Sequence, residues 1–203
     1  MKNIENVQRC HWVNDDPIYI DYHDHEWGIP LHDDDKLFEF LILEGFQAGL
    51  SWITVLKKRD NFRKAFDNFK ALKIVKYDEQ KIEELMQDSG IIRNRLKIQG
   101  TITNAKLFLE IQQEFDSFAQ YIWQFTSGQT IVNQWNNASQ VPVSTLISDA
   151  MSKDLKKRGF KFIGSTICYA FMQATGMVND HLINCVSYKS LCVPKIEAVF
   201  VPL

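Results

Sequence analysis

Residues 10–27 read Cys-His-Trp-Val-Asn-Asp-Asp-Pro-Ile-Tyr-Ile-Asp-Tyr-His-Asp-His-Glu-Trp. They hold one of the chain's four cysteines, three of its five histidines and two of its five tryptophans. The segment is too polar for a core strand, and Pro17 is expected to interrupt any helix, so we interpret the segment as a loop. A loop rich in metal-binding and stacking side chains needs a second segment to hold it, and His181 and Cys185 near the other end are the candidates.

The composition predicts an intracellular globular protein. A chain of 203 residues, 45% of them hydrophobic, can bury a substantial core. No apolar run approaches the ~18 residues of a membrane span. The first nine residues have no apolar signal region. Four cysteines are too few for a disulfide scaffold and suit core thiols, metal ligands or catalytic thiols. We therefore expect a cytoplasmic protein without a membrane partner.

The formal net charge of −2 argues against a strongly basic nucleic-acid binder. It does not exclude nucleic-acid binding, because affinity for phosphates depends on a local basic face and not on the total charge. Basic clusters occur at residues 57–59, 93–97 and 153–161. Each of them taken alone fits a solvated helix face better than a binding surface.

Helical patterns dominate the chain, and alternating strand patterns are nearly absent. Acids at 33–35 precede a run at 36–43 that is apolar enough to be buried nearly all round. Further helices are predicted at 48–56, 78–90, 91–114, 116–125, 148–158 and 165–174, with a last short one carrying His181 and Cys185. Residues 127–142 are predicted as a loop. We predict an all-α bundle, a single domain over residues 1–203, whose tail at 188–203 has no assigned role.

The spacing of His181 and Cys185 suggests a metal site. On a helix, side chains four residues apart project from the same face, which suits two ligands of a tetrahedral ion. Zinc binds Cys and His together in closed structural sites. The opening segment offers the remaining ligands: Cys10, His11, His23 and His25. The alternative is a buried cysteine beside a surface histidine. A catalytic zinc fits less well, because the His-Glu-x-x-His motif is absent.

Two other features point to a ligand. Gly159 and Gly164 lie five residues apart between predicted helices, and free N–H groups at the start of the second helix favour a phosphate. The alternative is that the two glycines serve only a tight turn between two helices, which also needs two small residues. Glu44 ends the apolar run and precedes glycines and Trp52, so its carboxylate could line a pocket. Alternatively, Glu44 reaches solvent at the helix end.

Several motifs follow one another along the chain: Cys10-x-Trp12, Asp16-Pro17 with Tyr19, Tyr22-His23-Asp24-x-Glu26-Trp27-Gly28, Leu43-Glu44 with Gln47-Ala48-Gly49-Leu50-Ser51-Trp52, Gly90-Ile91-Ile92-Arg93, Leu155 through Gly164, Ile167-Cys168-Tyr169, and Asn179-Asp180-His181 with Cys185. Together and in this order, they resemble the 3-methyladenine DNA glycosylase I family. The resemblance covers about residues 10–187. It implies an all-helical member of the helix-hairpin-helix glycosylase superfamily, a monofunctional hydrolase that releases 3-methyladenine from double-stranded alkylated DNA.

The resemblance also implies roles for individual residues. The implied ligands of one structural zinc ion are Cys10, His23, His181 and Cys185. The implied base pocket comprises Glu44 as the catalytic residue with Trp52, Tyr22, Tyr19, Trp12 and Trp27. The implied DNA contacts are Leu50, Gly49, Gly159, Lys161, Gly164 and Ser165, with Leu50 wedged where the flipped base has left. Asp180 is the nearest candidate for activating water, but it adjoins an implied zinc ligand and receives no role.

Two other function classes stay open at this point. One is a non-catalytic, zinc-stabilised helical module that only binds DNA. The other is a zinc hydrolase. Within the preferred class, we expect a monomer, and the sequence does not decide whether 3-methylguanine is also excised.

Overall fold

The computed structural model describes residues 7–47 and 49–192, and within them the chain is mostly helical. The α-helices are α1 Pro17–His25, α2 Asp34–Gln47, α3 Trp52–Ala65, α4 Ala71–Ile74, α5 Glu79–Gln87, α6 Arg95–Phe115, α7 Phe118–Trp123, α8 Leu146–Arg158, α9 Ser165–Ala174 and α10 Val186–Cys192. Two short strands, β1 Ile131–Val132 and β2 Val178–Asn179, pair in parallel. The predicted all-α fold class is confirmed. The predicted tail begins inside α10, and its part from residue 193 onward lies outside the described residues.

None of the helices in the described ranges combines the length and the apolar character needed to cross a bilayer.

Helix α2 forms the centre of the core. Every residue from Leu37 to Phe46 is buried, because α3, α6, α7 and α9 pack around it. Asp33 accepts a backbone N–H at 2.9 Å and caps the helix N-terminus. The Asp34 carboxylate accepts the backbone N–H groups of Phe118 and Ala119, both at 2.8 Å, and so fixes the start of α7. The predicted burial of this run is confirmed.

Side-chain caps set the boundaries of the middle helices. Asp78 caps α5, as predicted from its position before the periodic run. Helix α6 begins at Arg95 and not at residue 91, because the Asn94 side chain accepts a backbone N–H of its first turn. Asp116 was expected to open α7, but it ends α6 with a φ of 64°, and Ser117 provides the cap. These differences shift helix ends without changing which faces are buried.

The loop prediction for the opening segment is wrong where α1 forms. Pro17 occupies the first helical position, where its missing N–H would have no helical acceptor in any case. The Asp16 side chain caps this helix by accepting the N–H of Ile18 at 3.1 Å. The same Asn-Asp-Asp-Pro sequence that suggested a break therefore starts the helix.

The predicted helix around His181 and Cys185 is also wrong. Both residues lie in the non-helical connection between β2 and α10. Leu182 forms a parallel bridge with Trp135, which holds the backbone extended just after His181. The chain then turns, and the N–H of Cys185 donates to the Leu182 carbonyl at 2.8 Å. The partner strand comes from the segment 127–142, which sequence periodicity presented only as a loop.

Helices α8 and α9 pack against each other and are joined by the hairpin 159–164. Gly159 ends α8 with a φ of 104°, a conformation that L side chains rarely adopt. The ring of Phe162 lies so close to Gly100 of α6 that an added Cβ there would be 2.9 Å from it. Gly45 of α2 meets the same phenylalanine at 3.4 Å. Two glycines thus seat the hairpin against the central helices.

We expect Gly176→Ala to be strongly destabilising. Gly176 has a φ of 70°, and an added Cβ would lie 2.4 Å from the backbone of Ile29 and Pro30. Strain and overlap together should cost about 3 kcal/mol or more in the free energy of unfolding, measured by urea denaturation. Gly128 is a matched control, because its φ is 74° with no atom within 4 Å of an added Cβ. Gly128→Ala should cost only about 1 kcal/mol, and equal losses would contradict the steric explanation.

Candidate active site and metal centre

A cavity of about 210 Å³ opens between the segment preceding α1 and helices α1, α2, α3 and α9. It is lined by Cys10, His11, Trp12, Tyr19, Tyr22, Trp27, Glu44, Gln47, Trp52, Val141, Ala170, Gln173, Asp180 and Leu182. All six residues predicted for a base pocket therefore contribute to one cavity. Their positions in the sequence span forty-one residues, and α2 and α3 bring them together.

Glu44 supplies a buried acid to this cavity. The residue is only 3% exposed, so the alternative that it reaches solvent is wrong. Its Oε2 atom has no hydrogen-bond partner within the described part of the chain, and neither has the buried Nε1–H of Trp52. Burial raises the pKa of Glu44 to about 8, because desolvation disfavours the carboxylate. Buried polar atoms are normally paired, so two unpaired ones in one cavity point to a ligand.

The aromatic side chains form interlocked walls. The ring of Trp12 lies 5.0 Å from that of Tyr19 and 5.1 Å from that of Trp27, measured between centroids. Tyr22 lies 5.5 Å from Trp52. The pairs are tilted or edge-on, which are favourable geometries for aromatic rings. Burial, followed by the nearby Glu44 charge, raises the pKa of Tyr22 well above its ordinary value. The walls are thus fixed by mutual contacts and present neutral rings.

A second cluster lies beside the cavity and consists of four buried side chains whose ligand atoms all lie within 4.8 Å of one another: Cys10, His23, His181 and Cys185. The Sγ–N distances are 3.5 Å from Cys10 to His181 Nδ1, 3.4 Å from Cys185 to His181 Nδ1, and 3.3 Å from Cys185 to His23 Nε2. Tetrahedral coordination with metal–sulfur bonds of about 2.3 Å and metal–nitrogen bonds of about 2.0 Å places S and N roughly 3.5 Å apart. The four donors therefore fit a metal ion.

The outer hydrogen bonds orient both histidines for coordination. His23 Nδ1 lies 2.7 Å from the Asp24 carboxylate, and His181 Nε2 lies 3.1 Å from the Trp27 carbonyl. Each acceptor fixes a proton on the outer nitrogen, so the inner nitrogen carries the lone pair that a metal ion needs. Arg9 in turn holds Asp24 through hydrogen bonds of 2.9 and 2.7 Å. This arrangement is typical of histidines that bind a metal.

The opening segment's other two histidines lie outside the cluster. His11 is exposed at the cavity, and His25 is exposed and hydrogen-bonded to Asp21 at 2.8 Å. Of the three candidate histidines near the N-terminus, the structure therefore brings His23 to the cysteines.

The two thiols of the cluster influence each other. A hydrogen bond from the Cys10 thiol lowers the pKa of Cys185 and raises that of Cys10.

The cluster supports the cavity wall directly. The ring of Trp27 lies 4.6 Å from that of His181, and the ring of Trp12 lies 5.2 Å from that of His23, both edge-on. Cys10 belongs to both sites, since it also lines the cavity. A change in the position of these ligands would therefore move the walls of the cavity.

Asp180 is a cavity residue for which no role was predicted from the sequence. It is buried, and each of its carboxylate oxygens accepts two hydrogen bonds. The donors are Tyr169 Oη at 2.6 Å, Gln173 Nε2 at 2.8 Å, Asn133 Nδ2 at 2.6 Å and Trp135 Nε1 at 2.8 Å. Gln47 and Gln173 were also missed as cavity residues. One signal in the sequence was available. Trp135 lies in the otherwise polar segment 127–142, and a tryptophan there indicates that the segment packs against another part of the chain.

Leu50 and Gly49 lie in the turn between α2 and α3. The Leu50 side chain is 43% exposed although it is aliphatic. Gly49 has a φ of 84°, and among the described residues other than its chain neighbours no atom lies within 4 Å of an added Cβ, so this position is open on that side. The structure thus places an apolar side chain on an open edge close in sequence to Glu44 and Trp52.

The other predicted DNA contacts lie on the hairpin between α8 and α9, at Gly159, Lys161, Gly164 and Ser165. The Lys161 side chain is exposed, but its backbone N–H donates to Asn104 at 2.7 Å. The Ser165 hydroxyl donates to the Asp149 carboxylate. These two groups already have partners within the protein, which leaves the lysine charge and the remaining hairpin backbone for a ligand.

Comparison with known proteins agrees with this geometry. The family model described as Methyladenine glycosylase matches residues 12–188. DNA-3-methyladenine glycosylase 1 of Escherichia coli (strain K12) is 54% identical over 182 residues, covering 90% of this chain and 97% of the relative. The solved structure of 3-methyladenine DNA glycosylase I from Staphylococcus aureus is 37% identical, covers 89% of this chain and 96% of its own, and superposes with a TM-score of 0.86.

A further solved structure is that of a Tyr-to-Phe variant of 3-methyladenine DNA glycosylase I in complex with 3-methyladenine. It is 36% identical, covers 89% of this chain and 97% of its own, and has a TM-score of 0.86. These matches confirm the resemblance inferred from the motifs, and the span of the family model includes twelve of the cavity residues, all except Cys10 and His11. The chain belongs to the methyladenine glycosylase family.

Proposed function

We propose that the protein is a monofunctional DNA glycosylase that hydrolyses the N-glycosidic bond of 3-methyladenine in double-stranded alkylated DNA. The observation that carries the proposal is one aromatic cavity bordered by two buried polar atoms that have no partner among the described residues, Glu44 Oε2 and Trp52 Nε1. The relatives support it, because the E. coli relative is named for this activity and one solved relative is described in complex with 3-methyladenine.

The cavity suits a base that has left the helix. A target base cannot be reached inside a duplex, so its nucleotide must rotate outward at a cost of about a few kcal/mol. A cavity of roughly 150 Å³ binds benzene, so the 210 Å³ found here can hold a two-ring purine. Methylation at N3 gives the purine a positive charge. A cation held against Trp52 or Tyr22 gains up to about 2 kcal/mol when desolvated.

Glu44 would select the charged base. In the empty cavity its raised pKa of about 8 keeps the carboxyl protonated near neutral pH. A cationic purine beside it favours the carboxylate and lowers that pKa. Binding thus creates an ion pair in a water-poor cavity, where electrostatic attraction is stronger than in water. Neutral adenine offers no such gain, so normal DNA is spared.

The bond change needs little help from an acid. The C1′–N9 bond breaks, and the cationic purine leaves with the electron pair as neutral 3-methyladenine. The oxygen of water bonds to C1′, and the proton of that water passes to solvent. Because the purine leaves as a neutral molecule and the positive charge passes to the sugar as the bond breaks, the protein contributes recognition of the base and electrostatic stabilisation of that positive charge.

We further propose that the open turn and the hairpin bind the DNA. The exposed side chain of Leu50 would fill the gap in the base stack, as apolar wedges do in kinked duplexes. The hairpin backbone at the N-terminus of α9 and the Lys161 charge would hold phosphates and set the register. These contacts position the strand without reading its sequence.

We expect Leu50→Ala to lower excision from duplex DNA by about tenfold, because the vacated stack is no longer filled and base rotation becomes costlier. Excision from a single strand, which has no stack to refill, should change much less. The measurement is the single-turnover rate on matched duplex and single-stranded oligonucleotides. Leu96→Ala is the control, since Leu96 is also exposed but lies on α6. Equal losses on both substrates would contradict the wedge role.

We propose zinc for the Cys₂His₂ cluster. Two thiolates and two imidazoles form a donor set that zinc binds tetrahedrally. With four protein ligands, the ion would stabilise the fold by joining the segment before α1 to the turn before α10. In this proposal the metal takes no part in hydrolysis. We also expect the protein to act as a monomer in the cytoplasm.

The decisive experiment incubates the protein with methylated DNA and analyses the released bases by chromatography. Release of free 3-methyladenine is the expected result. Salt-sensitive DNA binding without release would favour the alternative, a zinc-stabilised module that only binds DNA. Activity that disappears on chelation while the protein stays folded would favour a zinc hydrolase.

A further inference from the structure

We propose that Gln173 is a specificity-determining residue that accepts a hydrogen bond from the 6-amino group of the flipped purine, and that Asp180 is the positioning residue that fixes the Gln173 amide for this role. The inference rests on the proposed function. It assigns to the cavity a second acceptor besides Glu44.

The orientation of the Gln173 amide follows from its partner. Its Nε2 donates to Asp180 Oδ2 at 2.8 Å. The reversed amide would place Oε1 against that carboxylate oxygen, two acceptors in contact, so it is excluded. Oε1 has no hydrogen-bond partner among the described residues. Because Gln173 lines the cavity, this oxygen is the amide's remaining polar atom for a ligand there.

Asp180 is itself held rigidly. Its two oxygens receive hydrogen bonds from three other parts of the chain: Tyr169 and Gln173 on α9, Asn133 next to β1, and Trp135. An indole nitrogen can only donate, and a carboxylate with both oxygens accepting suits all four partners. Buried networks that are fully satisfied specify one arrangement of their members. The Gln173 amide is therefore oriented before a base arrives.

Two acceptors in the cavity favour one class of purine. A 6-aminopurine presents two N–H donors at C6, which Glu44 and Gln173 can accept. A 6-oxopurine presents a carbonyl oxygen there, and an acceptor facing it is left unpaired and buried. Such mismatches are costly, because desolvated polar atoms lose their partners. The pair should therefore favour 3-methyladenine over 3-methylguanine, the choice that the sequence left open.

The test measures both bases released from one methylated DNA under single-turnover conditions. Gln173→Leu fills most of the space of the side chain with apolar atoms and removes the acceptor. We expect release of 3-methyladenine to fall roughly 10- to 100-fold, and that of 3-methylguanine to change much less. The control is Gln112→Leu on α6, which removes a similar bond from Gln112 Nε2 to Asp34, 2.6 Å long, away from the cavity. It should behave as wild type.

A second arm tests Asp180. Asp180→Asn should also lower 3-methyladenine release, and in the Gln173→Leu background it should add nothing, because both changes act through one amide. Circular dichroism and metal content identify a variant that fails to fold. In that event Gln173→Glu replaces it, since a carboxylate facing Asp180 cannot donate and should cause the same loss.

Four results would overturn the proposal. The first is Gln173→Leu with wild-type release of 3-methyladenine, and the second is an equal loss for both bases, which indicates general packing. The third is additive losses in the double variant, and the fourth is wild-type release by Gln173→Glu. Failure of the proposed function looks different, because the wild-type protein would then release neither base, and the inference would fail with it.

Discussion

Glu44→Gln is expected to reduce the single-turnover release of 3-methyladenine by roughly 100- to 1000-fold. The substitution keeps the size of the side chain and an acceptor oxygen, but it removes the charge that opposes the cationic purine. A charge-assisted contact in a water-poor site is worth about 3–4 kcal/mol, and each 1.4 kcal/mol is a factor of ten in rate. The positive charge lies on the purine before the bond breaks and passes to the sugar as it breaks, so the loss should appear both in binding of the flipped base and in its release.

The same substitution should stabilise the fold, in a way that depends on pH. The Glu44 carboxyl has an ordinary pKa of 4.5 and a pKa of about 8 in the folded protein. Between these values the unfolded chain has lost a proton that the folded chain retains, so wild-type stability falls as pH rises from 4.5 to 8. Glutamine has no such proton. The variant should therefore exceed wild type by a few kcal/mol at pH 8 and match it near pH 4.

The rate of base release and the pH dependence of stability together test the role of Glu44. Rates come from chromatography of released base, and stabilities from urea denaturation at several pH values. Glu110→Gln is the control, because Glu110 is an exposed residue on α6 and should change neither quantity. Trp52→Phe is a second variant of the pocket, which keeps an aromatic ring and removes the indole N–H that has no partner among the described residues. Unchanged release of 3-methyladenine by Glu44→Gln would contradict the assignment of Glu44 to the base pocket. A stability difference that does not depend on pH would contradict the raised pKa of Glu44.

Local sequence patterns predicted the parts of the fold that depend on local physics. The apolar run of α2 has no polar face, so it could only be buried, and Asp78 before a periodic run could be recognised as a cap. The family motifs then grouped Glu44, Trp52 and the aromatic residues of the opening segment. The structure brings these together in one cavity.

Predictions failed where distant partners decide the conformation. The turn at His181 is shaped by the bridge between Leu182 and Trp135, forty-seven residues apart, and no local spacing encodes that pairing. The hydrogen bonds of Asp180 also depend on distant residues. Two of its four donors come from the segment around Asn133, which the sequence pattern presented as an exposed loop. Such hydrogen-bond networks depend on tertiary packing and are not visible in periodicity.

The proposed metal centre combines both cases. A Cys/His cluster at each end of the chain predicted that the ends meet, yet the choice among three histidines needed either the family motif or the structure. The geometry gives a physical reason for that choice: His23 lies on the inward face of α1 and is buried, whereas His25, two residues later, is exposed. Residues two apart on a helix do not share a face.

Removing one metal ligand should therefore have the largest effect on stability of any single change in the opening segment. We expect His23→Ala to abolish stoichiometric zinc binding and to lower the free energy of unfolding by about 5 kcal/mol or more, since structural zinc contributes on the order of 10 kcal/mol. For a chain of this size that corresponds to roughly 10–20 °C in melting temperature. Metal content and thermal denaturation measure the two effects. His25→Ala should change neither.

Chelation of the wild-type protein separates a structural from a catalytic ion. The ligands hold the segment before α1 against the turn before α10, and their rings support Trp12 and Trp27. Metal loss should therefore lower the melting temperature and remove activity in parallel, with activity following the folded fraction across a chelator titration. Activity lost at full thermal stability would show that the ion takes part in the reaction. If the His23→Ala variant bound zinc as tightly as the wild-type protein, the cluster would not be the zinc site.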